Sequence, residues 1–172
     1  MGTSTTTLIS VEEYLASCYR PDCDFVDGEV RQRNVGELDH ARLQTVLTVR
    51  LHGLEREHGF WVLTEMRVQV NPRRFRVPDI CIARGPAKPS QILVEPPLLC
   101  VEILSPSDTI EDIQERVDDY LAMGVPFVWV LSPRTRRGWI HTPDGVKEAK
   151  DSILRTAAPD LAIPLASLFH ES

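Results

Sequence analysis

The 172-residue chain is 42% hydrophobic and 26% charged, which suits one globular domain with a real core and leaves no length for a second. Its net charge of −6 weighs against a general nucleic-acid binder, because non-specific affinity comes mainly from Lys and Arg neutralising phosphates; a local basic groove stays open. No apolar run reaches the roughly 18 residues that span a bilayer, and the opening MGTSTTTLISVEEY lacks a basic region followed by an apolar one, so the expectation is a soluble, cytoplasmic protein with no membrane partner.

Taken in chain order, Ser10 followed three residues later by Glu13 forms a capping box, predicting a short helix that Pro21 ends. DFVDGEVRQR carries Asp27-Gly28 between β-prone residues and predicts a tight hairpin. From Leu38 to about Glu57, apolar residues at 43, 46, 47, 51 and 54 keep helical spacing, with Gly59 as C-terminal cap. FWVLTEMRVQV and FRVPDICIA are β-branched and aromatic runs expected to pair antiparallel. Residues 85–97 hold four prolines and read as a loop. LLCVEILSPS is nearly all apolar and predicts a central strand buried on both faces.

Asp108 with Glu111 suggests another capping box, opening a helix with Ile110, Ile113, Val117, Tyr120 and Leu121 on one side and Gly124 at its end. VPFVWVLS is a further buried strand, RGWIHT and VKEAK a hairpin about Asp144-Gly145, and Leu161 to Phe169 a closing strand or short helix. This order suits an α/β fold: one mixed sheet with helices on both faces, an N-terminal hairpin and a β-rich tail. Cys18, Cys23, Cys81 and Cys100 show neither CxxC pairing nor His-flanked spacing and read as reduced structural thiols.

Two carboxylates stand out. Asp79 in VPDICIA and Glu102 in LLCVEILS lie in strands that are otherwise apolar. Removing an ionised carboxylate from water costs several kcal/mol unless a partner or metal compensates. Two on neighbouring strands therefore suggest a shared divalent cation, while pairing with Arg67 or Arg76, or exposure at a strand end, is the plainer alternative. Arg116, three residues after Ile113 and four before Tyr120, falls within the apolar stripe of its helix and points its charge towards the sheet. Asp112, Glu115 and Asp119 take the other side and look like a solvated face. The cluster Arg134, Arg136 and Arg137 reads as a solvated loop.

The strings PDICIA, PPLLCVEILSPSDT and GVPFVWVLSP, with CDFVDGEV and ELDHARLQ before them, resemble the Uma-two family of restriction-endonuclease-like proteins, within the PD-(D/E)XK nuclease superfamily. The likeness spans roughly residues 10 to 142. It implies a restriction-endonuclease-like core in which Asp79 and Glu102 bind Mg²⁺, with Mn²⁺ as an alternative, while a basic residue helps position the attacking water. In the family the lysine has migrated to the following helix, four residues before the tyrosine; here that place is Arg116. Guanidinium stays protonated, so Arg116 cannot be a general base. It could stabilise transition-state charge or pair bidentately with Glu102 in place of the metal.

His40 matches the family's helix-start histidine, placed to contact phosphate or a metal-bound water, or else simply a surface residue. Glu29, beyond the hairpin turn, is the candidate for an additional acid, since turn chemistry alone explains Asp27. The resemblance implies a Mg²⁺-dependent endonuclease acting on DNA; a groove lined by Arg73, Arg74 and Arg76 is expected to take the substrate, with a homodimer supplying two sites for two cuts. Two other readings stand beside it: an inactive nuclease fold kept as a binding module, and a regulatory or structural partner that never touches DNA.

Overall fold

A computed structural model describes residues 8–33, 37–85 and 90–169. Ser10 Oγ accepts from the Glu13 amide at 3.1 Å and opens α1, Val11–Ala16. The hairpin follows as β1, Cys23–Val26, and β2, Glu29–Gln32. Asp27 and Gly28 both take positive φ, 51° and 100°, as a type I′ turn requires. The long helix is shorter than its periodicity predicts: α2 covers Leu38–His52, and a separate turn, α3, covers Glu55–His58. Gly59 closes it in the left-handed region, as expected.

The next two apolar runs are each divided between sheets. FWVLTEMRVQV becomes β3, Phe60–Thr64, and β4, Val68–Asn71, with Glu65 between them at φ 51°. FRVPDICIA becomes β5, Arg74–Arg76, and β6, Ile80–Arg84. The expected antiparallel pairing holds twice over, β4 with β5 and β3 with β6. Then come β7, Leu99–Ile103, α4, Ile110–Met123, and β8, Val128–Ser132. The cap of α4 lies one residue later than expected, with Thr109 and Asp112 making the reciprocal box. A hairpin of β9, Arg137–Thr142, and β10, Gly145–Glu148, precedes a second of β11, Ile153–Ala157, and β12, Asp160–Pro164.

The central sheet is mixed, in the order β10-β9-β8-β7-β6-β3, and β7 with β8 is its parallel pair, joined through α4. The N-terminal hairpin instead builds a second sheet, β2-β1-β5-β4. Alternation along the central strands gives the central sheet a core on each face, and Tyr14, Phe25 and Phe75 form a smaller third cluster. Leu43, Leu47 and Leu51 of α2 cover one face, over Ile80, Ile82, Val101 and Trp129, and the tail completes that layer with Leu154, Leu161 and Ile163. On the other face Val117 and Tyr120 of α4 and Val68 of β4 pack on Cys81, Cys100, Val128 and Val130. Ile110, expected in that stripe, is 85% exposed, because the cap sets it at the first helical position, beyond the sheet. None of the four cysteines is in a disulfide. No helix of the described residues is long and apolar enough to cross a membrane.

At the far end of β6 the chain passes Gly59 so closely that a Cβ on Gly85 would stand 2.1 Å from the Gly59 carbonyl oxygen. The obstacle is backbone, which cannot rotate aside. Gly85→Ala should therefore lose roughly 1–3 kcal/mol by overpacking, read as a lower urea midpoint at unchanged slope.

Candidate active site

Strands β6 and β7 run antiparallel with Ile80 opposite Val101 and Cys81 opposite Cys100. One step further along that register sets Asp79, in the bend entering β6, across from Glu102. The sequence placed both acids within apolar runs, and both are buried, Asp79 at 3% exposure and Glu102 at 1%. Alternation turns Glu102 to the same face as Cys100, towards α4, where the Tyr120 hydroxyl donates to its Oε1 at 2.6 Å.

The two carboxyls are held differently. Asp79 Oδ2 accepts from the Ile103 amide at 2.7 Å and lies 3.4 Å from His40 Nε2; Oδ1 pairs with the Arg33 guanidinium. Gln44 of α2 also donates to the Asp79 backbone carbonyl at 3.0 Å, fixing the bend. Burial would raise the Asp79 pKa, but the His40 hydrogen bond, Arg33 and the Ile103 N–H outweigh it and hold the carboxyl below its ordinary value. Glu102 goes the other way. Burial dominates, the Asp79 charge adds to it, and Arg116, Arg33 and Tyr120 only partly offset them, so Glu102 is pushed up to about 7. Neighbouring carboxyls with separated protonation behaviour are a feature of sites that handle protons or cations.

Arg116 reaches this place as its helical position predicts, with Nη1 3.4 Å from both Glu102 Oε2 and Asp108 Oδ1, and Nε 3.7 Å from Asp24 Oδ2. One nitrogen at that distance is not the bidentate fork weighed from the sequence. His40 is also brought in; burial works against its protonation, yet Asp79 raises its pKa overall. Its Nδ1 is buried without a hydrogen-bond partner among the described residues.

Glu29 is not brought in. It sits at the turn end of β2, opposite Val26, and accepts from Arg31 Nε at 3.1 Å. The acid that does approach is Asp24 of β1, 3% exposed. The signal that would have found it is the one that found Asp79: a carboxylate inside a short apolar strand. Arg33 had no such signal. The arginines before Asp79 are drawn into ion pairs, Arg73 only loosely, at 3.8 Å from Asp27. Arg76 is buried, its Nη1 donating to Asp24 at 3.0 Å and its Nε to Asp119 at 2.7 Å, and Arg74 pairs with Asp27 at 2.7 Å and Asp119 at 3.0 Å. Glu115 joins both arginines, so the outer face of α4 is an ion-pair seam rather than a solvated surface.

A mixed sheet flanked by helices, with two acids set across adjacent strands and reached by side chains of α2 and α4, defines a restriction-endonuclease-like fold. Residues 11–167 match the model of the Uma2 family, described as "Putative restriction endonuclease", and the chain belongs to that family. Among solved structures it is similar to a putative nuclease of the DUF820 group from Anabaena variabilis, with TM-score 0.79 and 18% identity over 94% of this chain and 97% of that one. Comparison with functionally curated proteins found no match.

The hard carboxylate oxygens of Asp79 and Glu102 are the donor type that Mg²⁺ and Mn²⁺ take. The raised Glu102 pKa marks a place where further positive charge would be favoured. Among the described residues no group of three or more His, Cys, Asp or Glu is arranged to hold a metal. The protein would thus supply two carboxylates, leaving water or phosphate oxygens to fill the shell, as is common for Mg²⁺. In that sense the residues fit, with Arg33 sharing or yielding its Asp79 oxygen.

Proposed function

We propose that the protein is a divalent-metal-dependent endonuclease that hydrolyses DNA phosphodiester bonds at Asp79 and Glu102. The observation that carries this reading is the juxtaposition of two buried carboxyls, one of them insufficiently compensated. Asp79 and Glu102 would hold the cation, which when bound lowers the pKa of its water and neutralises developing charge. Tyr120 orients Glu102, and the Ile103 amide and Gln44 orient Asp79. Arg116 stays protonated and stabilises negative charge on the phosphate oxygens. His40, anchored on Asp79 by Nε2, offers Nδ1 to a phosphate oxygen or a water.

Isothermal titration of Mg²⁺ and Mn²⁺ into the wild type and Asp79→Ala, with plasmid cleavage in parallel, tests the reading. Binding that depends on Asp79, together with metal-dependent nicking, supports it. A monomer should give nicks, and a homodimer double-strand breaks, so sedimentation run beside the cleavage assay addresses the assembly. Arg33 standing on Asp79 favours a second reading, a binding module whose cation site is filled by its own arginine. That reading requires no metal binding and no cleavage in the wild type, with metal binding restored by Arg33→Gln, which removes the guanidinium from Asp79.

Stability should report the same site. The folded pKa of Glu102 lies above its ordinary 4.5, at about 7, so its contribution is fully present below about pH 4.5 and lost as pH rises through 7. Asp79, shifted down, has the opposite sign and matters only as pH falls below its ordinary 3.8. Without metal, raising pH from about 5 to about 8 should therefore remove on the order of 3 kcal/mol, or roughly 5–10 °C in Tm. Saturating Mg²⁺ should flatten the fall. A melting temperature independent of pH across that range would contradict the assignment.

A further inference from the structure

Beside the carboxylates lies a cavity of about 680 Å³, well within the roughly 300–1,000 Å³ usual for ligand sites. Its walls include His40 and Asp108, which also contact Asp79 and Arg116, so whatever fills it lies against the catalytic groups. Its apolar lining comes from Leu104 after β7 and from Ile110 and Ile113 of α4, and Trp139 and His141 of β9 also line it. Arg137 stacks over the Trp139 ring at 5.3 Å and helps hold the indole. Burial lowers the His141 pKa, which leaves the imidazole neutral at pH 7, with one nitrogen able to donate and the other to accept.

The charge distribution limits what can enter. The chain carries a net charge of −6, Arg74 and Arg76 are paired internally with Asp27, Asp24 and Asp119, and in the cavity's own lining Arg134 stands against three acids, Glu37, Asp39 and Asp108. Affinity for an intact duplex comes chiefly from cations on phosphates. Affinity for an unstacked strand can come instead from bases laid on aromatic and apolar walls. We infer that this cavity receives an unstacked nucleobase next to the scissile phosphate, so that the substrate of the proposed nuclease is single-stranded or locally opened nucleic acid rather than closed duplex. The inference rests on the nuclease reading for the chemistry, but base binding is measured separately from cleavage.

The experiment is fluorescence anisotropy of a fluorescein-labelled ten-nucleotide DNA strand of mixed sequence, alone and annealed to its complement, without metal. The variants are Trp139→Ala, Trp139→Phe and Ile110→Asp. Ile110 is exposed at the first turn of α4, where an acid suits the helix dipole, so Ile110→Asp should fold normally. The single strand should bind more tightly than the duplex, and its affinity should fall far less steeply than the 10³–10⁵-fold expected of a phosphate-tracking protein between about 50 and 200 mM salt. Trp139→Ala and Ile110→Asp should each weaken it by about ten-fold while Trp139→Phe largely retains it. Equal affinity for strand and duplex, or no effect of Trp139→Ala and Ile110→Asp, would overturn the inference. So would a dimer sensitive to Ile110→Asp in a protein with no oligonucleotide affinity, which would assign the cavity to a second copy of the chain. Base binding without any metal-dependent cleavage would instead defeat the nuclease reading and leave the pocket standing; duplex cleavage unaffected by Trp139→Ala would do the reverse.

Discussion

Glu102→Gln is expected to abolish metal-dependent cleavage, by at least about 10³-fold, while leaving the fold as stable as before or more so. The amide keeps the shape of the side chain and a carbonyl oxygen to accept from Tyr120, whose hydroxyl now bonds Oε1 at 2.6 Å. It removes a charge that burial disfavours strongly enough to push the carboxyl to about 7. Arg116 loses one acceptor and keeps Asp108 and Asp24, at 3.4 Å and 3.7 Å. The same change that removes a metal donor should therefore flatten the fall in Tm above pH 5. Chemical denaturation at pH 8 and a nicking assay on the same preparation decide it. Retained cleavage would remove Glu102 from the proposed chemistry, and a large loss of stability would mean that its charge is better compensated than its surroundings indicate.

The largest stability loss should come from Arg76→Ala. The Arg76 guanidinium, 2% exposed, ties its own strand β5 to two other elements: to Asp24 of β1 at 3.0 Å, and to Asp119 and Glu115 of α4 at 2.6 Å and 3.2 Å. Without it Asp24 remains buried, with the Val77 amide at 3.0 Å and Arg116 at 3.7 Å as its remaining partners. Leaving a buried charge uncompensated typically costs 3–5 kcal/mol, whereas exchanging a whole buried pair for apolar groups can be nearly neutral. Arg76→Ala should accordingly lose about 3–5 kcal/mol, and Arg76→Met combined with Asp24→Asn should recover much of it. Urea unfolding of Arg76→Met, Asp24→Asn and the double variant measures that coupling directly. Additive losses would show that the pair acts as two independent surface charges. Because Asp24 also faces Arg116, the seam links the second sheet to the candidate site, and loosening it should disturb Arg116.

The sequence by itself established a good deal here, wherever the cause was local. Asp27-Gly28 could only turn one way, Gly59 and Gly124 closed their helices at φ 67° and 103°, and strand alternation identified Asp79 and Glu102 as acids out of place in apolar runs. Helical spacing aimed Arg116 inward for the same reason, and motif similarity named the family. Tertiary structure decided the rest. Glu65 breaks one apolar run into strands of two different sheets, and no period within the run reveals it. The Arg33 to Asp79 pair spans 46 residues and the Arg76 to Asp24 pair 52. Such contacts depend on which strands become neighbours. Glu29, chosen for its place at the turn, gave way to Asp24 on the same ground. Periodicity tells which side of its own element a residue faces, whereas the partner it meets there is set by how the sheets and helices close on one another, and that closure is what gives Asp79 and Glu102 their opposite pKa shifts.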